Sequence, residues 1–168
     1  GVQTCALPIS LHAAGYALMD ARFSILVEAL ALKLETMLVM KPLRGHLPKD
    51  MPSSGVYLFS ENNRHMYVGR SNVLRQRYGR HCLPGATHRQ AAFAFKLARE
   101  VTSRTVPSYR AGKDSRKGLI QVPEFAAAFL ASKCRIREMD YRFVEERDQN
   151  RQALLEIYAA VVLETPYN

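Results

Sequence analysis

A chain of 168 residues is the size of one ordinary domain and buries a core without help from disulfides or metals. Its formal charge of +9 points to nucleic acid rather than to an acidic small molecule, because clustered Lys and Arg release counterions condensed on a phosphate backbone; a merely soluble basic protein has the same balance. Cys5, Cys82 and Cys134 show no paired spacing, which argues against a disulfide framework or a cysteine zinc site and fits a reducing, cytoplasmic setting.

Residues 1–9, GVQTCALPI, resemble the translation of a sequencing adaptor at the broken end of a gene fragment and are set aside, so Cys5 carries no meaning. No basic stretch precedes their apolar residues, which argues against a signal peptide. Residues 10–52 are read as an N-terminal helix and a linker. The helix runs from Arg22 to Met40 and is stopped by Pro42; Glu28, Lys33 and Glu35 in its apolar run argue against a membrane span. Lys41 to Ser54 mixes three prolines, a glycine and charges, which is loop chemistry.

Gly55 to Phe59 (GVYLF) and His65 to Gly69 (HMYVG) are rich in β-branched and aromatic residues, and the turn formers between them predict an antiparallel hairpin. Ser71 and Asn72 are expected to cap a helix with Leu74 and Tyr78 inward and Arg70, Arg75, Arg77, Arg80 and His81 around the rest. Pro84 and Gly85 end it. A second helix starts at Arg89, with Phe93 and Leu97 one turn apart, and a basic, Gly-, Pro- and Ser-containing loop follows from Ser103 to Gly118. A short helix begins at Pro123, the alternation in KCRIREMDY (Lys133 to Tyr141) predicts a third strand, and Asp148 to Leu163 reads as a strong helix.

Glu156 is the one charge between Ala153 and Leu163, a segment that reads as apolar on nearly all faces and hence buried. A buried lone carboxylate must be paired, protonated or metal-bound, so Glu156 is either a ligand or an internal salt-bridge partner. Tyr57 and Tyr67, on adjoining strands, are placed to bring two hydroxyls to one sheet face; ordinary core packing is the alternative. Arg77 and His81, at i and i+4, project from one helix face as a phosphate clamp requires, and as many solvated basic faces also do.

Together, GVY, then YVG ten residues on, Arg77 eight residues past Gly69, and Glu156 twelve residues before Asn168 resemble the motif set of the GIY-YIG nucleases. The resemblance spans about Ser54 to Asn168. It implies an α+β domain over residues 53–168: a small three-stranded antiparallel sheet flanked by helices, with an extra N-terminal helix. It also implies catalytic roles for Tyr57, Tyr67, Arg77, His81 and Glu156, one Mg²⁺ or Mn²⁺ ion on Glu156, and motif positions at Gly55, Gly69 and Asn168. Val56 and Val68 stand where relatives commonly have Ile, an ordinary β-branched exchange. The end at Asn168, with the adaptor-like start, suggests a truncated gene product, and no separate DNA-binding domain is visible.

The implied activity is metal-dependent hydrolysis of DNA phosphodiesters, of restriction or mobile-element type. A structure-specific repair nuclease and a catalytically inactive nucleic-acid-binding module are the alternatives. Tyr57 is expected to accept the proton of the attacking water, which requires its phenol pKa to fall under the influence of Arg77, His81 and the metal. Tyr67 would orient water or phosphate, and His81 would relay a proton or contact phosphate. Arg70, Arg80, His88, Arg110, Lys113, Arg116 and Lys117 are expected to grip the DNA backbone.

Overall fold

The computed structural model describes residues 20–106, 108 and 112–168; the adaptor-like segment and Arg110 lie outside the described residues. β1 (Gly55–Glu61) and β2 (Arg64–Ser71) form the predicted hairpin, closed by Asn62 and Asn63 at φ 50° and 62°, the left-handed pair that a tight two-residue turn demands. β3 (Asp140–Glu145) pairs with the other side of β1, so the antiparallel order is β2-β1-β3 and β1 is central. Gly55 meets β3 so closely that a Cβ there would lie 2.0 Å from the Val144 carbonyl oxygen, and only glycine fits.

Helices cover both faces of this sheet, and the alternation of side chains along β1 feeds two cores. Tyr57 and Phe59 face a layer made by α3 (Leu74–Cys82), α4 (Ala92–Val101), α5 (Arg116–Ile120) and α6 (Pro123–Glu138). Val56 and Leu58 face α2 (Leu30–Val39) and α7 (Gln149–Val162), with α1 (Ala21–Glu28) packed beside α7. The fold is therefore α+β, a three-stranded antiparallel sheet flanked by helices with extra N-terminal helical structure, as the sequence implies. Among the described residues no helix is long and apolar enough to cross a membrane.

Several boundaries differ from the sequence reading. The predicted third strand from Lys133 is the last turns of α6, because Phe125, Phe129, Ser132, Lys133 and Ile136 bury one helical stripe, and that stripe outweighs a short alternation. The strand starts only at Asp140, where Tyr141 and Val144 turn to opposite cores. The single N-terminal helix is divided at Ala29 into α1 and α2. α3 begins without a side-chain cap: Ser71 Oγ accepts from the Val73 amide at 2.9 Å, and Asn72 Oδ1 accepts from Gln152 Nε2 at 3.1 Å.

β2 is an edge strand, and its backbone groups at Met66 and Val68 are met by Tyr167 and Asn168. Asn168 Oδ1 accepts from the Val68 amide at 2.8 Å, and its Nδ2 donates to the Val68 carbonyl at 2.9 Å, a one-residue imitation of a fourth strand. The Tyr167 amide donates to the Met66 carbonyl at 3.3 Å. Asn168→Ala removes both side-chain bonds to Val68, together with the one accepted from Thr165 Oγ1 at 2.8 Å, and is expected to destabilise the domain by about 2 kcal/mol. Thermal unfolding should show this as a fall in Tm of roughly 4–8 °C.

Candidate active site at the edge of the sheet

β1 carries Tyr57 into the interior, leaving its side chain 1 % exposed, so its hydroxyl must find partners there. α3 supplies them from successive turns. Arg77 Nε donates to Tyr57 Oη at 3.0 Å, and His81 Nε2 lies 2.8 Å from the same oxygen. Arg77 is only a donor, so of these two neighbours only His81 Nε2 can take the hydroxyl's own proton, and it does so in the tautomer that carries its proton on Nδ1. Nδ1 is buried without a hydrogen-bond partner.

The ring reaches this position because Gly69 stands opposite it in the hairpin. A Cβ at Gly69 would be 2.3 Å from Tyr57 Oη, so the glycine is needed for space. Tyr67, half-buried, lies with its ring 6.3 Å from Tyr57 and 5.5 Å from His81, stacked on Phe93 at 4.8 Å. Arg77 lies against both phenols and fixes its other arm by donating from Nη1 to the Gln90 carbonyl at 3.0 Å.

Burial sets the protonation of both Tyr57 and His81. The Tyr57 phenol is pushed up, not down: loss of solvent is the largest cause, the nearby Tyr67 adds to it, and Arg77 opposes both without prevailing. A free phenolate is therefore not the resting base. His81 is fully buried, and desolvation, followed by Arg77, drives its pKa well below the usual histidine value. It is a neutral imidazole behind Tyr57.

Glu156 also departs from expectation. α7 is not buried all round: Ile157, Val161 and Val162 are exposed, and the Glu156 side chain is 28 % exposed. Its Oε2 accepts from Arg70 Nε at 3.0 Å. Arg70 belongs to β2 rather than to α3, and from that strand it meets α7 across the sheet edge. The pair is open to water at both ends and contributes about 0–1 kcal/mol, so it is easily exchanged. No group of three or more His, Cys, Asp or Glu is gathered for a metal among the described residues. A single solvent-reached carboxylate nevertheless fits Mg²⁺ or Mn²⁺, hard cations that keep most of their own waters.

The remaining basic residues do not join this cluster. Arg80 is exposed on α3, lining a separate groove with Arg75 and Leu83. His88 and Arg116 come together elsewhere: Arg116 Nη1 donates to the His88 carbonyl at 3.3 Å, and its guanidinium sits 5.0 Å from the Phe95 ring centre. Lys113 and Lys117 are exposed in the same region. Sequence reasoning missed Phe93, which holds Tyr67, and Gln90, which holds Arg77 by its backbone. The helix expected from Arg89 starts at Ala92, nothing in the sequence places it against the site, and a carbonyl acceptor leaves no trace in residue type. Compared with protein-family models, with curated proteins and with solved structures, the chain matches none.

Gly69→Ala should push Tyr57 off Arg77 and His81, costing about 1–3 kcal/mol in denaturant unfolding, the scale of an overpacked core. The buried imidazole gives a pH test. A folded pKa held below about 6.5 means that the unfolded chain takes up the proton first, so stability is full above that pH and is lost as pH falls below it. Between pH 6.5 and 5, wild-type stability should fall by up to about 1.4 kcal/mol per pH unit more steeply than that of His81→Gln, read from urea midpoints.

Proposed function

We propose that the chain is a GIY-YIG-like, metal-dependent DNA endonuclease of restriction or mobile-element type, acting in the cytoplasm. The observation that carries the reading is one phenol oxygen held between an arginine and a neutral histidine, 3.0 and 2.8 Å away, with a lone carboxylate across the neighbouring strand edge. The net charge of +9 suits the polyanionic substrate.

In this mechanism Arg77 clamps the nonbridging oxygens of the scissile phosphate and strengthens its hold as charge grows on the pentacovalent phosphorus. Tyr57 Oη takes a proton from the attacking water while passing its own proton to His81 Nε2, and the negative charge growing on the pentacovalent phosphorus offsets the imidazolium that forms. The phenol thus never has to exist as a free phenolate, which its burial forbids. The water oxygen bonds to phosphorus, the bond to the leaving 3′ oxygen breaks, and that oxygen is protonated from solvent. Tyr67, fixed on Phe93, orients the phosphate. Glu156 would hold the Mg²⁺ or Mn²⁺ ion once Arg70 releases it; the ion supplies positive charge against the phosphate.

One observation favours a second reading, a nucleic-acid-binding module without catalysis: the burial of the Tyr57 hydroxyl. A plasmid-nicking assay with and without Mg²⁺ decides between them. The nuclease reading expects metal-dependent nicking, lowered at least 10²- to 10³-fold in Tyr57→Phe with DNA binding preserved, the scale for removing one group that acts in the transition state. Glu156→Gln should be equally inactive and unchanged in Tm. Binding without nicking by the wild-type chain leaves the module.

A further inference from the structure

Beside this cluster, a cavity of about 380 Å³ opens between α4, the start of β2 and Pro166–Tyr167. Three cations line it: Arg64, Lys96 and Arg99. Two are fixed in place by backbone carbonyls rather than by carboxylates. Lys96 Nζ donates to the Tyr167 carbonyl at 2.6 Å, and Arg99 Nη1 donates to those of Arg104 at 3.1 Å and Val106 at 2.7 Å, with its guanidinium 5.3 Å from the Phe95 ring centre. Arg64 is exposed at the hairpin.

The nearby acids are already engaged. Glu100, the one carboxylate of the cavity, accepts the Tyr167 hydroxyl, and Glu61, opposite Arg64 in the hairpin, is held by both arms of Arg135 at 2.9 and 2.6 Å. Among the described residues none of the three cations lies in an ion pair. Burial, and then the positive field of Arg116, lowers the pKa of both Lys96 and Arg99, with Asp114 opposing the shift at Arg99, so the region holds positive charge that a bound anion would relieve. An anion entering here meets oriented donors and displaces no carboxylate.

The cavity is also tied to the cluster around Tyr57. Phe93 touches Tyr67 on one side and Tyr167 on the other, with ring centres 4.8 and 5.3 Å away, so those two tyrosine rings are at most about 10 Å apart. Resting on the nuclease reading, we propose that Arg64, Lys96 and Arg99 form a subsite for a backbone phosphate of the DNA strand flanking the scissile bond.

The test is fluorescence anisotropy of a labelled DNA duplex in EDTA, from 50 to 200 mM salt, with the wild-type chain and with Arg64→Gln, Lys96→Gln and Lys96→Arg. Each Gln variant should flatten the slope of log affinity against log salt by about 0.9, and Lys96→Arg should keep the wild-type slope. Should Lys96→Gln fail to fold, Arg64→Gln, an exposed position, carries the result. Unchanged slopes in variants that bind would overturn the subsite and leave the nuclease reading standing. Displacement of the duplex by a micromolar mononucleotide would make the cavity a nucleotide pocket and also overturn it. A wild-type chain that binds no DNA would sink the nuclease reading itself.

Discussion

The structure depends on satisfying one hydroxyl inside a core. An unpaired phenol at the position of Tyr57 would cost about 1–3 kcal/mol, and a charged one far more. Each neighbour follows from that constraint: Gly69 yields space for the oxygen, Arg77 donates to it, and His81 Nε2 hydrogen-bonds it at 2.8 Å. The two α3 residues reach the same atom because i and i+4 share a helix face. α3 in turn has to pack flat against the hairpin, which Leu74, Tyr78 and Cys82 accomplish by filling the same core as Phe59 and Tyr141. Hydrogen bonding and packing therefore select the same orientation of α3, and a shift of either loosens both.

The edge of β2 is the second organising element. An open edge strand invites pairing with another chain, and here the chain's last residues occupy it from Met66 to Val68. Beyond Val68 the strand continues as Gly69, which has no side chain, and Arg70, which is exposed. Closure thus stops where Tyr57 lies on one face of the strand and Glu156 approaches from the other. A site that straddles a strand edge draws on both helical layers while leaving the sheet register intact.

Much of this was legible in sequence. The period-two hairpin around Asn62–Asn63 and the long helix after Asp148 follow local rules, because turn chemistry and capping act over a few residues. What was not legible depended on which of two valid patterns tertiary packing selects. KCRIREMDY alternates like a strand but continues the buried stripe of α6, whose members Phe125 and Phe129 lie well upstream. Likewise Glu156 sat in an apolar run that predicts burial, yet α7 packs by one side only, and the other side exposes Ile157 and Val161. The motif residues could be named, while the electrostatics of Tyr57 required its depth.

That depth changes the chemistry the cluster can carry. Arg77 alone favours phenolate, but its effect is outweighed by the loss of water around a nearly fully buried ring. A base that must ionise first would be inactive near neutral pH. In the proposed mechanism the base instead passes its proton onward as it receives one. Desolvation moves the two pKa values in opposite directions with one result: Tyr57 keeps its proton and His81 stays neutral. Opening the site to water would weaken both conditions together. Rigid enclosure by Gly69, Phe59 and Tyr141 thus belongs to the chemistry as much as to the fold.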